Sequence, residues 1–188
     1  SIIYAANHSY SWRQLNRDVE RLRTCLGGDD APVFAPFLLL PLPGFTPLEI
    51  LGASRRFAEK QWKVKSRSGL ERCPNRSDHQ GGVRIGYLSA HFHMHAVSEA
   101  CAGVLERHDA SAFAVHAYSY GPDVPDAMRQ RVQSACELFR DLRPLKDEAA
   151  ARQIADDEID ILVELGGYTS GCRAGISARA AATSTPFL

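Results

Sequence analysis

The chain has 188 residues, 45% of them hydrophobic, with 22 basic and 22 acidic side chains and no net charge. That length and apolar share allow one good-sized domain or two small ones with a buried core, and exclude a wholly disordered chain. Neutrality gives no overall pull toward nucleic acid or anionic membranes, and no apolar run reaches the roughly 18–20 residues of a membrane span. The five cysteines (Cys25, Cys73, Cys101, Cys136 and Cys172) are widely spaced with no C-x-x-C pair. They form neither a disulfide framework nor a zinc pattern, and read as reduced thiols of a cytoplasmic protein.

The first predicted element is a helix. Ser11 and Gln14 form a capping box, and Trp12, Leu15, Val19, Leu22 and Leu26 follow at helical steps until Gly27-Gly28 ends the run. Residues 31–45 are apolar and proline-rich, which predicts an extended segment. Thr46 and Glu49 form a second capping box with Pro47 at the first helical position, so a helix to about Trp62 is expected, burying Leu48, Leu51, Ala58 and Trp62. Residues 63–82 are basic and polar with interspersed glycines, and read as a solvated linker.

From Val83 the pattern alternates. Strands are predicted over 83–89, 112–119, 139–142 and 159–165, with helices over 97–107, 126–139 and 148–155. Strand–helix alternation at this spacing predicts right-handed crossovers and a parallel sheet covered by helices on both faces. The expected fold class is α/β, with a Rossmann-like parallel sheet preceded by a small helical segment.

Two loops carry candidate chemistry. The first is His91-Phe92-His93-Met94-His95, after the first predicted strand. If it stays extended, its three imidazoles share one face and Phe92 and Met94 point inward. That arrangement is one reading of a metal-dependent hydrolase. Such a site needs further ligands, and only His108 and His116 remain downstream. The second loop, Gly166 to Arg173, follows the last predicted strand and has the glycines for close backbone approach. It is neither a dinucleotide fingerprint nor a phosphate loop, and a plain strand-to-helix turn fits it as well.

Taken in order, R-I-G-Y-L-S-x-x-F-x-x-H (Arg84 to His95), F-A-V-H-A-Y-S-Y-G-P (Phe113 to Pro122), F-R-D-L (Phe139 to Leu142) and the run from Asp147 through E-L-G-G-Y-T-S-G-C-R to Arg173 resemble the N-terminal catalytic lobe of the O-linked N-acetylglucosamine transferases and SPINDLY-type glycosyltransferases. The segment from Ala35 to Ala58 resembles the helical connector that joins tetratricopeptide repeats to that lobe. The resemblance implies a helical connector over 1–62, a linker over 63–82, one lobe of a glycosyltransferase B-type fold over 83–182 and a tail over 183–188.

It further implies the acceptor-side lobe of an inverting protein O-glycosyltransferase. Such an enzyme moves N-acetylglucosamine from a nucleotide sugar, UDP-GlcNAc, to serine or threonine of a protein or peptide. No metal or other cofactor is implied, and no nucleic-acid or membrane partner. His95 maps onto the family's loop histidine, a candidate base or positioning group. Gly167, Tyr168, Thr169 and Arg173 map onto a substrate-binding loop. The family commonly has Asp, Pro and Asn at positions 91, 96 and 166, where this chain has His91, Ala96 and Gly166. Those departures keep open a non-catalytic remnant or binding module beside the metal-dependent hydrolase. Because the donor-binding lobe supplies the charge stabilisation for a leaving diphosphate, residues 1–188 alone are expected to be inactive.

Overall fold

The computed structural model describes residues 15–27, 35–62, 82–169 and 171–180. They divide into two compact units, residues 15–62 with 168–169, and residues 82–167 with 171–180. The Ser11 capping box, nearly all of the expected 63–82 linker and the 183–188 tail lie outside the described residues.

In the first unit, α1 (Leu15–Gly27) and α2 (Pro47–Trp62) flank a short 3-10 turn, Pro36–Leu39. The core is Leu15, Val19, Leu26, Leu39, Leu42 and Ala53. The predicted α1 stripe is therefore the buried one from Leu15 onward. The second capping box forms: Thr46 donates through its backbone N–H (2.7 Å) and its hydroxyl (2.8 Å) to the Glu49 carboxylate, and the Glu49 N–H returns a bond to Thr46 Oγ1 at 3.3 Å.

Two expectations need correction here. The proline-rich segment is not extended throughout. Pro36 opens the 3-10 turn, and the buried Pro36, Leu39 and Leu42 recur at its three-residue period. The buried face of α2 also differs from the predicted one. Leu48 is 79% exposed and Leu51 44%, whereas Ala53 is buried and Ile50 packs on the core. The register is set by Glu49, which accepts from Arg23 Nε at 2.8 Å, and by Arg56, which donates to the Leu26 carbonyl at 3.0 Å. Glu49, Ala53 and Arg56 share one helical face, so that face meets α1 and the Leu48–Leu51 side does not.

In the second unit, β1 (Val83–Ser89), β2 (Phe113–Ser119), β3 (Leu138–Asp141) and β4 (Ile161–Glu164) form a parallel sheet in the order β3-β2-β1-β4. Strand β1 pairs with β2 along its whole length and with β4 from Ile85 to Leu88. The crossover helices are α3 (Ala96–Leu105), α4 (Ala127–Ser134) and α5 (Asp147–Asp156), and α6 (Ala174–Ala180) follows β4. Strand alternation divides the core in two. Ile85, Tyr87, Val115 and Ala117 pack with Phe92, Leu105 and Val132 on the α3–α4 face. Leu88 and Tyr118 pack with Ala150, Ala151, Ile154 and Ile176 on the α5–α6 face.

The α/β class and the helices on both faces agree with the expectation. The helix predicted over 126–139 is shorter. It stops at Ser134, because the Glu137 N–H bonds the Val115 carbonyl of β2 at 2.8 Å and draws the chain into β3. Helix α6 was not among the predicted elements.

Candidate functional site

The chain leaves β1 toward β2 and β3 on one side, then crosses back to lay β4 on the other. The C-terminal ends of β1 and β4 are therefore the topological switch point, where open parallel sheets bind ligands. The two loops singled out in the sequence emerge there side by side. Leu88 is opposite Glu164 in the register, and the Leu165 N–H bonds the Leu88 carbonyl at 3.0 Å.

The histidine loop is folded, not extended. The His93 N–H bonds the His91 carbonyl at 2.8 Å, a three-residue turn that breaks strand alternation. Phe92 is buried as expected, but Met94 is 58% exposed. The three imidazoles still gather. His91 and His95 stack with centroids 3.9 Å apart and planes 9° apart, and His93 lies about 6 Å from both. Among the described residues no group of three His, Cys, Asp or Glu side chains is arranged to hold a metal ion.

The loop is held from below. Ser89 Oγ accepts the His91 N–H at 3.0 Å, and the Ser98 hydroxyl donates to the His91 carbonyl. The Met94 N–H donates to Asp126 Oδ2 at 2.7 Å, while the other Asp126 oxygen caps α4 through the Arg129 N–H at 2.8 Å. Those backbone donors hold the Asp126 carboxyl below its usual range. Burial, then the neighbouring His95 and His93, lower the His91 pKa.

His95 is the N-cap of α3. Its Nδ1 accepts the Val97 N–H at 3.1 Å. An imidazole nitrogen that accepts a hydrogen bond carries no proton, so the neutral His95 ring in this geometry bears its proton on Nε2. In that tautomer Nε2 is a hydrogen-bond donor. To take a proton there, the ring would have to protonate Nδ1 and give up the cap.

In the second loop, Gly167 and Gly171 have positive φ (54° and 78°), the left-handed conformation that glycine adopts without strain. Arg173 turns inward. Its guanidinium donates to the Leu142 carbonyl (3.1 Å), the Leu145 carbonyl (2.6 Å) and Asp147 (2.9 Å), tying the loop to the turn after β3. Tyr168 groups with the first unit, where its ring stacks on Trp62 at 5.4 Å, and Thr169 groups with it. Glu164, at the end of β4, accepts the Gly166 N–H at 2.7 Å and the Tyr120 hydroxyl at 3.1 Å. Glu164 and Tyr120 were not among the sequence candidates. The signal for Glu164 was a carboxylate standing in an otherwise aliphatic run.

Strand order and loop position thus define a Rossmann-like α/β lobe with its topological switch point at β1 and β4. Comparison with known proteins agrees. Residues 42–185 match the model of glycosyl transferase family 41. The chain is 31% identical over 180 residues to the probable UDP-N-acetylglucosamine–peptide N-acetylglucosaminyltransferase SEC of Arabidopsis thaliana, covering 92% of this chain and 17% of that protein. It is 34% identical over 92 residues to the UDP-N-acetylglucosamine–peptide N-acetylglucosaminyltransferase of Caenorhabditis elegans, covering 48% of this chain and 8% of that protein. A solved structure of a mutant O-GlcNAc transferase from Thermobaculum terrenum superposes with a TM-score of 0.65 and 25% identity, over 85% of this chain and 29% of that one. The chain belongs to glycosyl transferase family 41, and it spans less than a fifth of the length of these curated relatives.

Proposed function

We propose that this chain is the acceptor-side lobe of an inverting protein O-glycosyltransferase that moves N-acetylglucosamine from UDP-GlcNAc to a serine or threonine of a protein or peptide. The observation that carries the reading is the meeting of the His95 loop and the glycine loop at the β1–β4 switch point. The activity the relatives are named for, transfer of N-acetylglucosamine from a UDP donor to peptide, supplies the substrate class. Neither the metal-hydrolase nor the remnant alternative gains support from the site or the relatives.

In this reading the acceptor hydroxyl oxygen attacks the anomeric carbon, the bond to the nucleotide diphosphate breaks on the opposite face, and the hydroxyl proton passes to the departing phosphate or to solvent. His95, with its proton on Nε2, donates a hydrogen bond to a substrate oxygen and positions it. Substrate binding falls to Gly167, Tyr168 and Thr169, which match the family's substrate-binding loop. Arg173 is the clamp that sets the loop's course, because its donors are spent on protein carbonyls and Asp147.

The test is single-turnover transfer to an acceptor peptide by a full-length protein carrying this lobe. His95→Ala is expected to slow the step by roughly two to three orders of magnitude, the contribution of one placed hydrogen-bond donor. His95→Gln, which donates but takes up no proton, is expected to recover part of that loss. An unchanged rate in His95→Ala removes the residue from the chemistry, and equal loss in both variants means it works as a base.

A further inference from the structure

Strand β4 reads Ile161-Leu162-Val163-Glu164, with Leu165 following, so a single carboxylate ends an aliphatic run directly beneath the glycine loop. Its two oxygens are used unequally. Oε1 accepts both the Gly166 N–H and the Tyr120 hydroxyl. Oε2 is buried and has no hydrogen-bond partner among the described residues. The Ser177 hydroxyl of α6 is close enough to favour the charged carboxylate, yet its oxygen is also buried outside hydrogen-bond geometry. The carboxylate thus has two donors on one oxygen, while the other, buried, finds none among the described residues, so its charge is incompletely satisfied.

The Gly166 position is fitted to this carboxylate. A Cβ at residue 166 would lie 2.8 Å from Glu164 Oε1 and 2.8 Å from the Tyr120 hydroxyl, closer than side-chain carbons come to oxygen. Gly166 therefore lets the loop's first amide reach the strand's last side chain. The other groups around Glu164 are Cys172 in the loop, whose thiol burial keeps protonated, and the Tyr120 phenol, raised by burial and by Glu164. The Arg173 guanidinium stands 5.9 Å from the centre of the Tyr120 ring. Burial pushes the Glu164 carboxyl up to about 7, against the hydrogen bonds that favour its charge.

We propose that Glu164 is a positioning residue of the glycine loop, gripping its first amide when ionised and loosening that grip when protonated. Ionised, Oε1 accepts from Gly166 and Tyr120 together. Protonated, the group becomes a donor at one oxygen and a weaker, neutral acceptor at the other. The geometry of the loop's entry then follows pH through the neutral range. Its consequence for acceptor binding rests on the functional reading above, whereas the anchor itself does not.

The anchor is tested in the 188-residue chain by following the amide nitrogen and proton shifts of Gly166 and Gly167 against pH. Both are expected to titrate with a midpoint near 7, while the Gly86 amide within β1 stays still. Glu164→Gln is expected to abolish that titration. Tyr120→Phe, which removes one donor to the charged form, is expected to move the midpoint upward. The histidine loop lies beside this one, so a Gly166 shift that persists unchanged in Glu164→Gln overturns the proposal, as does a Gly166 amide that does not titrate. If Gly166 titrates through Glu164 but the pH profile of the acceptor KM in a full-length protein is the same in Glu164→Gln, the anchor stands and its consequence for acceptor binding falls.

Discussion

At the residue scale, the site holds two groups whose environments shift their protonation with opposite effects on stability as pH changes. His91 is buried against His95 and His93, which lowers its pKa below the ordinary 6.5. The folded state then binds fewer protons than the unfolded chain, so this contribution is present above 6.5 and is lost as pH falls. Glu164 runs the other way. Its folded pKa is raised from 4.5 to about 7. The folded state holds the extra proton between those values, so stability is full below 4.5 and is lost as pH rises through about 7. Each unit of such a shift is worth about 1.4 kcal/mol. Glu164→Gln keeps the shape and removes the charge. It should leave stability nearly unchanged at pH 4 and raise it by roughly 1–3 kcal/mol at pH 8. Urea denaturation at the two pH values reads this directly. Equal stability changes at both would mean that the carboxylate is ionised without cost, and the burial argument would fail.

At the scale of elements, the joints matter more than the strands. Asp157, at the end of α5, ties three of them together. Its carboxylate accepts two bonds from Arg140 of β3 (2.7 and 2.6 Å) and one from the Tyr118 hydroxyl of β2 (2.8 Å). Burial raises its pKa, but these donors outweigh the burial and hold it below the usual range. Asp157→Asn keeps a partner for Tyr118 but leaves Arg140 facing a neutral amide. A loss of about 2 kcal/mol is expected, less than for a fully buried pair because Arg140 is partly exposed. Thermal and urea melts would show it, with the edge strand β3 the first to lose amide protection. A variant as stable as the wild type would show that this joint carries no weight.

The same scale shows what the sequence made legible. Strand β1 was readable to the residue, because its pattern Val83, Ile85, Tyr87, Leu88 runs between a glycine and a polar loop. The Thr46–Glu49 box was readable because a capping box is local chemistry. The end of α4 was not, since the capture of Glu137 by Val115 is a tertiary hydrogen bond between residues 22 positions apart. The buried side of α2 was not, because it depends on where Arg23 stands. In the site, the gathering of His91, His93 and His95 was anticipated through an alternation that does not exist. A turn brings them together instead. Glu164 and Tyr120 went unseen because each stands only as one letter of a longer motif, with no role of its own. Their meaning comes from one hydrogen-bonded corner that only the folded chain assembles.

At the scale of the whole molecule, the hydrophobic cores divide as the units do. The cluster of Leu15, Val19, Leu26, Leu39, Leu42 and Ala53 draws only on the first unit. Both clusters on the sheet draw only on residues of the second, and each covers one face of β1 and β2. Burying apolar area on both sheet faces is what stabilises an open parallel sheet, and about 100 residues is an ordinary size for an independent domain. Removing residues 1–65 therefore cuts through neither sheet-face core. We expect residues 66–188 to fold alone and to unfold in one cooperative transition, within about 5 °C of the sheet transition in the full chain. The check is far-UV circular dichroism melting of both chains, with the β1 amides followed by hydrogen exchange. A truncated chain that melts without cooperativity, or whose β1 amides exchange freely, would show that the first unit supplies stability the core residues do not reveal. If it folds as expected, the Glu164 titration should also survive the truncation, since every side chain named in that anchor belongs to the second unit.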